Sequence, residues 1–149
     1  MKPAAKIKVN KVELEKYAER NGIKFIVLFG SQAKGDVQED SDFDIAISLK
    51  DGSSIFENLT RYSEMLTELS RILNLGNKKI DLTSLNRANI LLRYEITSSG
   101  TLLGGDELEY EQYKAFALRD YLDAKSLFNL EELLIKKRHQ ALRELILSK

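Results

Sequence analysis

Cysteine is absent from all 149 residues, which excludes disulfides and thiolate metal sites alike. That absence fits a reducing compartment. Long apolar runs are also missing: no stretch approaches a membrane span, and the opening MKPAAKIKVNKVELEKY has no apolar core of signal-peptide length. The expected location is the cytoplasm, with no membrane partner. Nor is there an excess of either charge. Lys+Arg and Asp+Glu balance at 23 each, so the formal net charge is zero. This argues against a large nucleic-acid footprint, which needs surplus cationic surface, while leaving room for a local basic patch. What is there is an ordinary globular composition, 43% hydrophobic and 31% charged. A chain of this length suits one domain and buries about two-thirds of its unfolded surface without staples.

Along the chain, residues 1–9 read as a loose start. Val12, Leu14, Tyr17 and Ala18 suit a short amphipathic helix over 10–20, stopped by Asn21-Gly22. Then IKFIVLF (23–29) reads as a strand buried on both faces. DFDIAISL (42–49) alternates strictly. A turn at Asp51-Gly52 precedes a helix expected to run to about Leu75, with Ile55, Leu59, Tyr62, Leu66, Leu69, Ile72 and Leu73 as its apolar stripe. KKIDLTSL (78–85) is a third strand. A helix from Asn86 or Arg87 to about Ser99 follows, then a short edge strand at 101–103. Beyond Glu107 there is neither Gly nor Pro, and apolar residues recur at helical spacing. The expectation there is one long helix, or a pair broken near Asn129. Alternating helices and strands give an α/β domain with a helical C-terminal arm.

The chemistry concentrates in GSQAKGDVQEDSDFD, residues 30–44. A buried strand ending in Gly30-Ser31 and leading into a helical turn offers backbone N–H groups and a hydroxyl to a phosphate. By itself such a junction is also an ordinary strand end. A P-loop does not fit, because Gly35 is followed by Asp36-Val37 and not by Lys-Ser/Thr. Asp42 and Asp44 are two apart in a strand, so they share a face with Cα atoms roughly 6.5–7 Å apart. Ala46 and Ser48 share that face; Phe43, Ile45, Ile47 and Leu49 take the core side. Paired carboxylates repel unless a cation lies between them. Hard oxygen donors suit Mg²⁺, which takes one or two carboxylates together with substrate phosphate. Two such ions about 3.5–4 Å apart clamp attacking and leaving oxygens in phosphoryl transfer. Asp81 lies on the polar side of the third strand. If that strand neighbours residues 42–49, the three acids converge, and Asp81 is placed to ligate metal and to accept the attacking hydroxyl's proton.

Gly30-Ser31, ten residues, Asp42-Phe43-Asp44 and a later Asp81 resemble the DNA polymerase β-like nucleotidyltransferase superfamily. Within it the wording LFGSQAKGD, SDFDIAI, IDLTSL and LLRYEITSSGTLL, with a tyrosine-rich tail, looks most like the MNT-domain (minimal nucleotidyltransferase) proteins. The resemblance covers roughly residues 22–125. It implies a small mixed sheet flanked by helices, Mg²⁺ dependence, and transfer of a nucleoside monophosphate from a triphosphate. By position it gives Gly30 and Ser31 the triphosphate, Asp42 and Asp44 the metals, and Asp81 the third ligand place. Lys34 stands where the family often has arginine, keeping a phosphate-neutralising charge without bidentate geometry. Small members are commonly antitoxins that move AMP from ATP to a tyrosine of a HEPN-family ribonuclease toxin. The implied organisation is a nucleotidyltransferase domain over 1–105, with the arm, 106–149, packed on the same domain.

Two other functions compete. One is a stand-alone nucleotidyltransferase acting on a small molecule, for which the tail is thin as a second substrate domain. The other is a binding-only antitoxin, for which clustered carboxylates serve no purpose. Several residues read as structural. The sole histidine, His139, and the basic run 136–138 suit a solvated helix face. Tyr110, Tyr113, Phe116, Tyr121 and Phe128 suit a packing stripe. Arg61 and Arg93 are candidate triphosphate cations with no sequence feature placing them near it. Asp36, Glu39 and Asp40 are expected in an exposed loop.

Overall fold

The computed structural model describes residues 9–34 and 42–148, with Lys34 described by its backbone alone. The expectations for residues 1–8, for the loop acids Asp36, Glu39 and Asp40, and for the Lys34 side chain therefore lie outside the described residues.

Asn10 opens helix α1 (Lys11–Arg20), its side chain accepting the Glu13 N–H at 3.3 Å. Such a cap contributes about 1 kcal/mol. The helix closes at Asn21, and Gly22 takes φ +63°. Its inner face is Leu14, Tyr17 and Ala18, while Val12 is exposed, contrary to the expected stripe. Strand β1 (Ile23–Phe29) leads through Gly30 into the single turn α2 (Ser31–Lys34), and β2 (Phe43–Leu49) returns antiparallel to β1. A 3-10 turn (Ile55–Glu57) follows, and only then α3 (Leu59–Ile72), capped by the Asn58 side chain on Arg61 N–H at 3.1 Å. That second start explains why Leu59 lies 75% exposed rather than in the stripe, which Met65, Leu69 and Ile72 carry.

Strand β3 (Ile80–Ser84) starts two residues later than expected and ends one earlier, where Leu85–Arg87 coil into a second 3-10 turn that takes the place of the expected helix start at Asn86 or Arg87. Asn89 caps α4 (Ile90–Ser99), and β4 (Thr101–Gly105) pairs with β1. The sheet order is β3-β2-β1-β4, with β2–β3 parallel and the other pairs antiparallel. Two cores sandwich it. One face carries Ile26, Leu28, Ile45 and Ile47 against α1 and α3. The other carries Phe25, Val27 and Ala46 against Ile96 of α4 and Tyr110 of the last helix. A register irregularity between Ile23 and Phe25 puts these two residues in different cores despite their even spacing.

The last helix, α5 (Glu107–Leu147), runs 41 residues without a break. Asn129 does not interrupt it, as expected of a residue costing under about 0.7 kcal/mol inside a helix. Its first half is fastened to the sheet and to α4. Tyr110 and Tyr113 approach Phe25 at 5.4 and 5.6 Å between ring centroids, and Tyr121 stacks on Tyr94 at 4.0 Å. Every described residue from Lys125 onward is exposed. No helix among the described residues is long and apolar enough to cross a membrane.

Candidate nucleotidyl-transfer site

The site forms where β1 ends and β2 begins. Antiparallel pairing sets Phe29, the last residue of β1, opposite Asp44. Gly30 then turns the chain at φ +74°, and a Cβ at this position would overlap Asp44 Oδ2. Glycine is therefore needed twice over: for a left-handed backbone, and to leave the Asp44 carboxylate its space. Glycine also lets the backbone come close to a phosphate, which is one reason for it here. Room for a carboxylate is an additional one, and no local pattern announces it.

Ser31 opens α2, which is only four residues long. A helix this short has no macrodipole to speak of. What it offers a phosphate is its first-turn N–H groups and the hydroxyl of the partly exposed Ser31. Lys34 is its last residue.

Parallel pairing of β2 with β3 sets Asp44 opposite Asp81 as direct Cα partners. Opposed residues in a sheet direct their side chains to the same face. Asp42 comes immediately before β2, not inside it, and is exposed, as is Asp81; Asp44 is half-buried. Hydrogen bonding of Phe43 N–H to Lys79 O at 2.9 Å ties the start of β2 to the approach of β3. Burial raises the Asp44 carboxyl above the ordinary carboxylate pKa, and the charges of Asp81 and then Asp42 push it further the same way. Asp44 thus feels the charge of both other acids.

The carboxylate face is less open than alternation implied. Ala46 and Ser48 are buried, not solvated; Ala46 lies in the second core with Leu85, Ile96 and Tyr110. Among the described residues, no three His, Cys, Asp or Glu side chains stand together as a ready-made metal cage. The donors present still fit Mg²⁺, which keeps several waters and binds through one or two carboxylates plus substrate phosphate. Burial is the larger cause of the raised Asp44 pKa; a cation there would relieve the smaller part that comes from the charges of Asp81 and Asp42.

The residues read as structural are engaged elsewhere. Arg61 donates to the Asn21 carbonyl, and Arg93 lies 3.9 Å from Asp120, so neither side chain is turned to Asp44. His139 and the run 136–138 are exposed on α5. Of the aromatic stripe, Tyr110, Tyr113 and Tyr121 pack, whereas Phe116 and Phe128 are 51% and 40% exposed.

The polymerase β nucleotidyltransferase family model matches residues 12–108, more than half of the chain, and takes in Gly30, Ser31, Asp42, Asp44 and Asp81. The chain belongs to this family. Among curated proteins none matches. Several solved structures share the fold. A toxin–antitoxin solved with AMP-PNP aligns at 22% identity and TM-score 0.61, over 85% of this chain and 99% of that one. The toxin–antitoxin MntA-HepT aligns at 22% identity and TM-score 0.56, over 84% and 97%. A tri-AMPylated Shewanella oneidensis HEPN toxin in complex with MNT antitoxin aligns at 21% identity and TM-score 0.55, over 84% and 96%. At these identities the likeness concerns the fold. It agrees with the mixed sheet flanked by helices expected from the sequence.

Proposed function

We propose that this nucleotidyltransferase is an MNT-type antitoxin that moves AMP from Mg·ATP to a tyrosine of a HEPN-family toxin in the cytoplasm. The observation that carries the chemical part is the direct opposition of Asp44 and Asp81 beside a glycine that clears space for the Asp44 carboxylate. Support for the partner comes from the solved structures of like fold, which pair a toxin with an antitoxin and include an AMPylated HEPN toxin. Residues 1–105 are read as the catalytic domain and 106–149 as its arm.

In this reading Gly30 and Ser31 hold the triphosphate through backbone N–H groups and the hydroxyl, with Lys34 adding charge. Mg²⁺ bound by Asp42, Asp44 and Asp81 would neutralise the phosphates and polarise the α-phosphorus. The acceptor tyrosine oxygen forms a bond to that phosphorus, the bond to the β-phosphate bridge breaks, and pyrophosphate leaves. Asp81, exposed at the edge of the site, takes the phenolic proton. A domain of this size has little room for an acceptor site of its own, so the acceptor arrives on another protein.

The test is incubation with α-labelled ATP, Mg²⁺ and the product of the adjacent gene, comparing wild type with D42N/D44N. Label on a partner tyrosine with the wild type alone is the expected result. Label on a small hydroxylated compound without any protein acceptor would favour a stand-alone enzyme. Neutralisation of toxicity by the double variant at equal dose would mean that occlusion suffices.

A further inference from the structure

Among the described residues, the outer half of α5 is a helix without a neighbour. From Lys125 to Ser148 every residue is exposed, yet the sequence there is not that of a solvated helix. Ala124, Phe128, Glu131, Ile135, Arg138, Leu142 and Leu145 fall on alternating four- and three-residue steps, five of the seven being apolar, and Leu127 and Leu134 widen the same side. Phe128, Ile135, Leu142 and Leu145 are 40–62% exposed. The stripe extends over roughly 32 Å at 1.5 Å per residue. A three-four repeat held over three heptads is the signature of a helix that pairs with another helix.

Two positions of this seam are charged: Glu131 and Arg138, seven residues apart. Neither makes an ion pair within the chain among the described residues; the nearby pair is Lys136 with Glu132, off the seam. Their order selects the occupant. A second copy laid parallel would set Glu131 on Glu131 and Arg138 on Arg138. Laid antiparallel, with the two-fold near Leu133, each Glu131 comes within one layer of the opposite Arg138, twice per dimer. Like charges in a seam disfavour the first arrangement, and opposite charges specify the second.

We propose that the outer half of α5 pairs antiparallel with the same segment of a second copy of this chain, forming a two-stranded coiled coil that joins two nucleotidyltransferase domains. The segment needed is self-complementary in both its apolar and its charged positions, which a foreign partner would have no reason to match. The inference does not depend on the acceptor or on catalysis.

The test is the mass of the full chain in solution by light scattering and sedimentation from 1 to 100 µM. The expected species is a dimer at the upper end, weakened at least tenfold by I135E/L142E and by E131R. An equimolar mixture of E131R with R138E should recover it, since each chain then meets opposite charge. Both sites are exposed, so thermal unfolding of the globular part should be unchanged by either variant, which separates lost pairing from lost folding. Orientation is read by a spin label on S148C, the chain having no native cysteine. Antiparallel pairing puts the two labels on the order of 40 Å apart, and parallel pairing about 10 Å. A monomer throughout the range, a dimer indifferent to I135E/L142E, or labels at the short distance would overturn the proposal. So would a chain that is monomeric alone and uses this stripe only to bind the toxin.

Discussion

Gly30→Ala separates the two demands made of that residue, and Gly22→Ala is its control. Both glycines have left-handed backbones, at φ +74° and +63°. Forcing an L-residue into that region costs roughly 1–2 kcal/mol at either site. For a chain of this size about 1 kcal/mol moves the unfolding midpoint by about 2–4 °C. Both variants should therefore lose a similar few degrees. Their surroundings differ. A Cβ at Gly22 meets nothing within 4 Å, whereas one at Gly30 overlaps Asp44 Oδ2 and reaches 3.1 Å from Asp44 Cγ. No backbone atom stands in the way there, so the carboxylate can swing aside at little cost to stability. The cost falls on the site, where a misplacement of about 1 Å is worth on the order of 100-fold in rate. Thermal unfolding with label-transfer rates, measured where both variants are folded, checks this. Equal stability loss with a roughly 100-fold slower G30A is expected. A G30A enzyme as fast as G22A would refute the role given to the glycine.

Asp44→Asn should stabilise the metal-free protein at neutral pH. The folded pKa of Asp44 is raised, so the wild type loses stability as pH climbs through and above 3.8, and the two proteins should converge below that value. In the same melts Mg²⁺ should raise the midpoint of wild type and not of D44N; equal shifts would remove Asp44 from the metal site. Tyr110 buries its hydroxyl without a hydrogen-bond partner among the described residues, and burial pushes its pKa up to about 12. Tyr110→Phe should accordingly gain about 1 kcal/mol in urea denaturation at pH 7 and lose less stability than wild type between pH 10 and 12. Ser31→Ala should raise the KM for ATP about tenfold with no change in unfolding midpoint, as expected for one lost hydrogen bond to a charged group.

Much of this architecture is local enough to be legible in the residues. Gly30-Ser31 and Asp42-Phe43-Asp44 are near in sequence, and the IKFIVLF run marks its own strand. The Asn10 cap and the Asn21-Gly22 stop bound α1 closely. What escaped depends on distant parts of the chain. Convergence of Asp81 on Asp44 is legible only on condition that their strands are neighbours; the two residues are 37 apart, and the parallel register of β2 and β3 supplies that condition. Ala46 and Ser48 look solvent-facing by alternation, but both are buried, Ala46 beneath Leu85, Ile96 and Tyr110, which come from later parts of the chain. Leu59 fits an apolar stripe that the 3-10 turn before it throws out of phase. The irregularity near Lys24 likewise follows from register with β2 and β4, which no single-strand pattern contains.

Transfer of AMP by Asp81→Asn tests the account most directly. Asp81 is exposed, and no hydrogen bond in the described structure uses its side chain, so the variant should unfold at the wild-type midpoint. With α-labelled ATP, Mg²⁺ and the partner protein, wild type should label a tyrosine while D81N leaves it unlabelled over the same hours. Full label transfer by a folded D81N would contradict the assignment of Asp81 as the third carboxylate of the site.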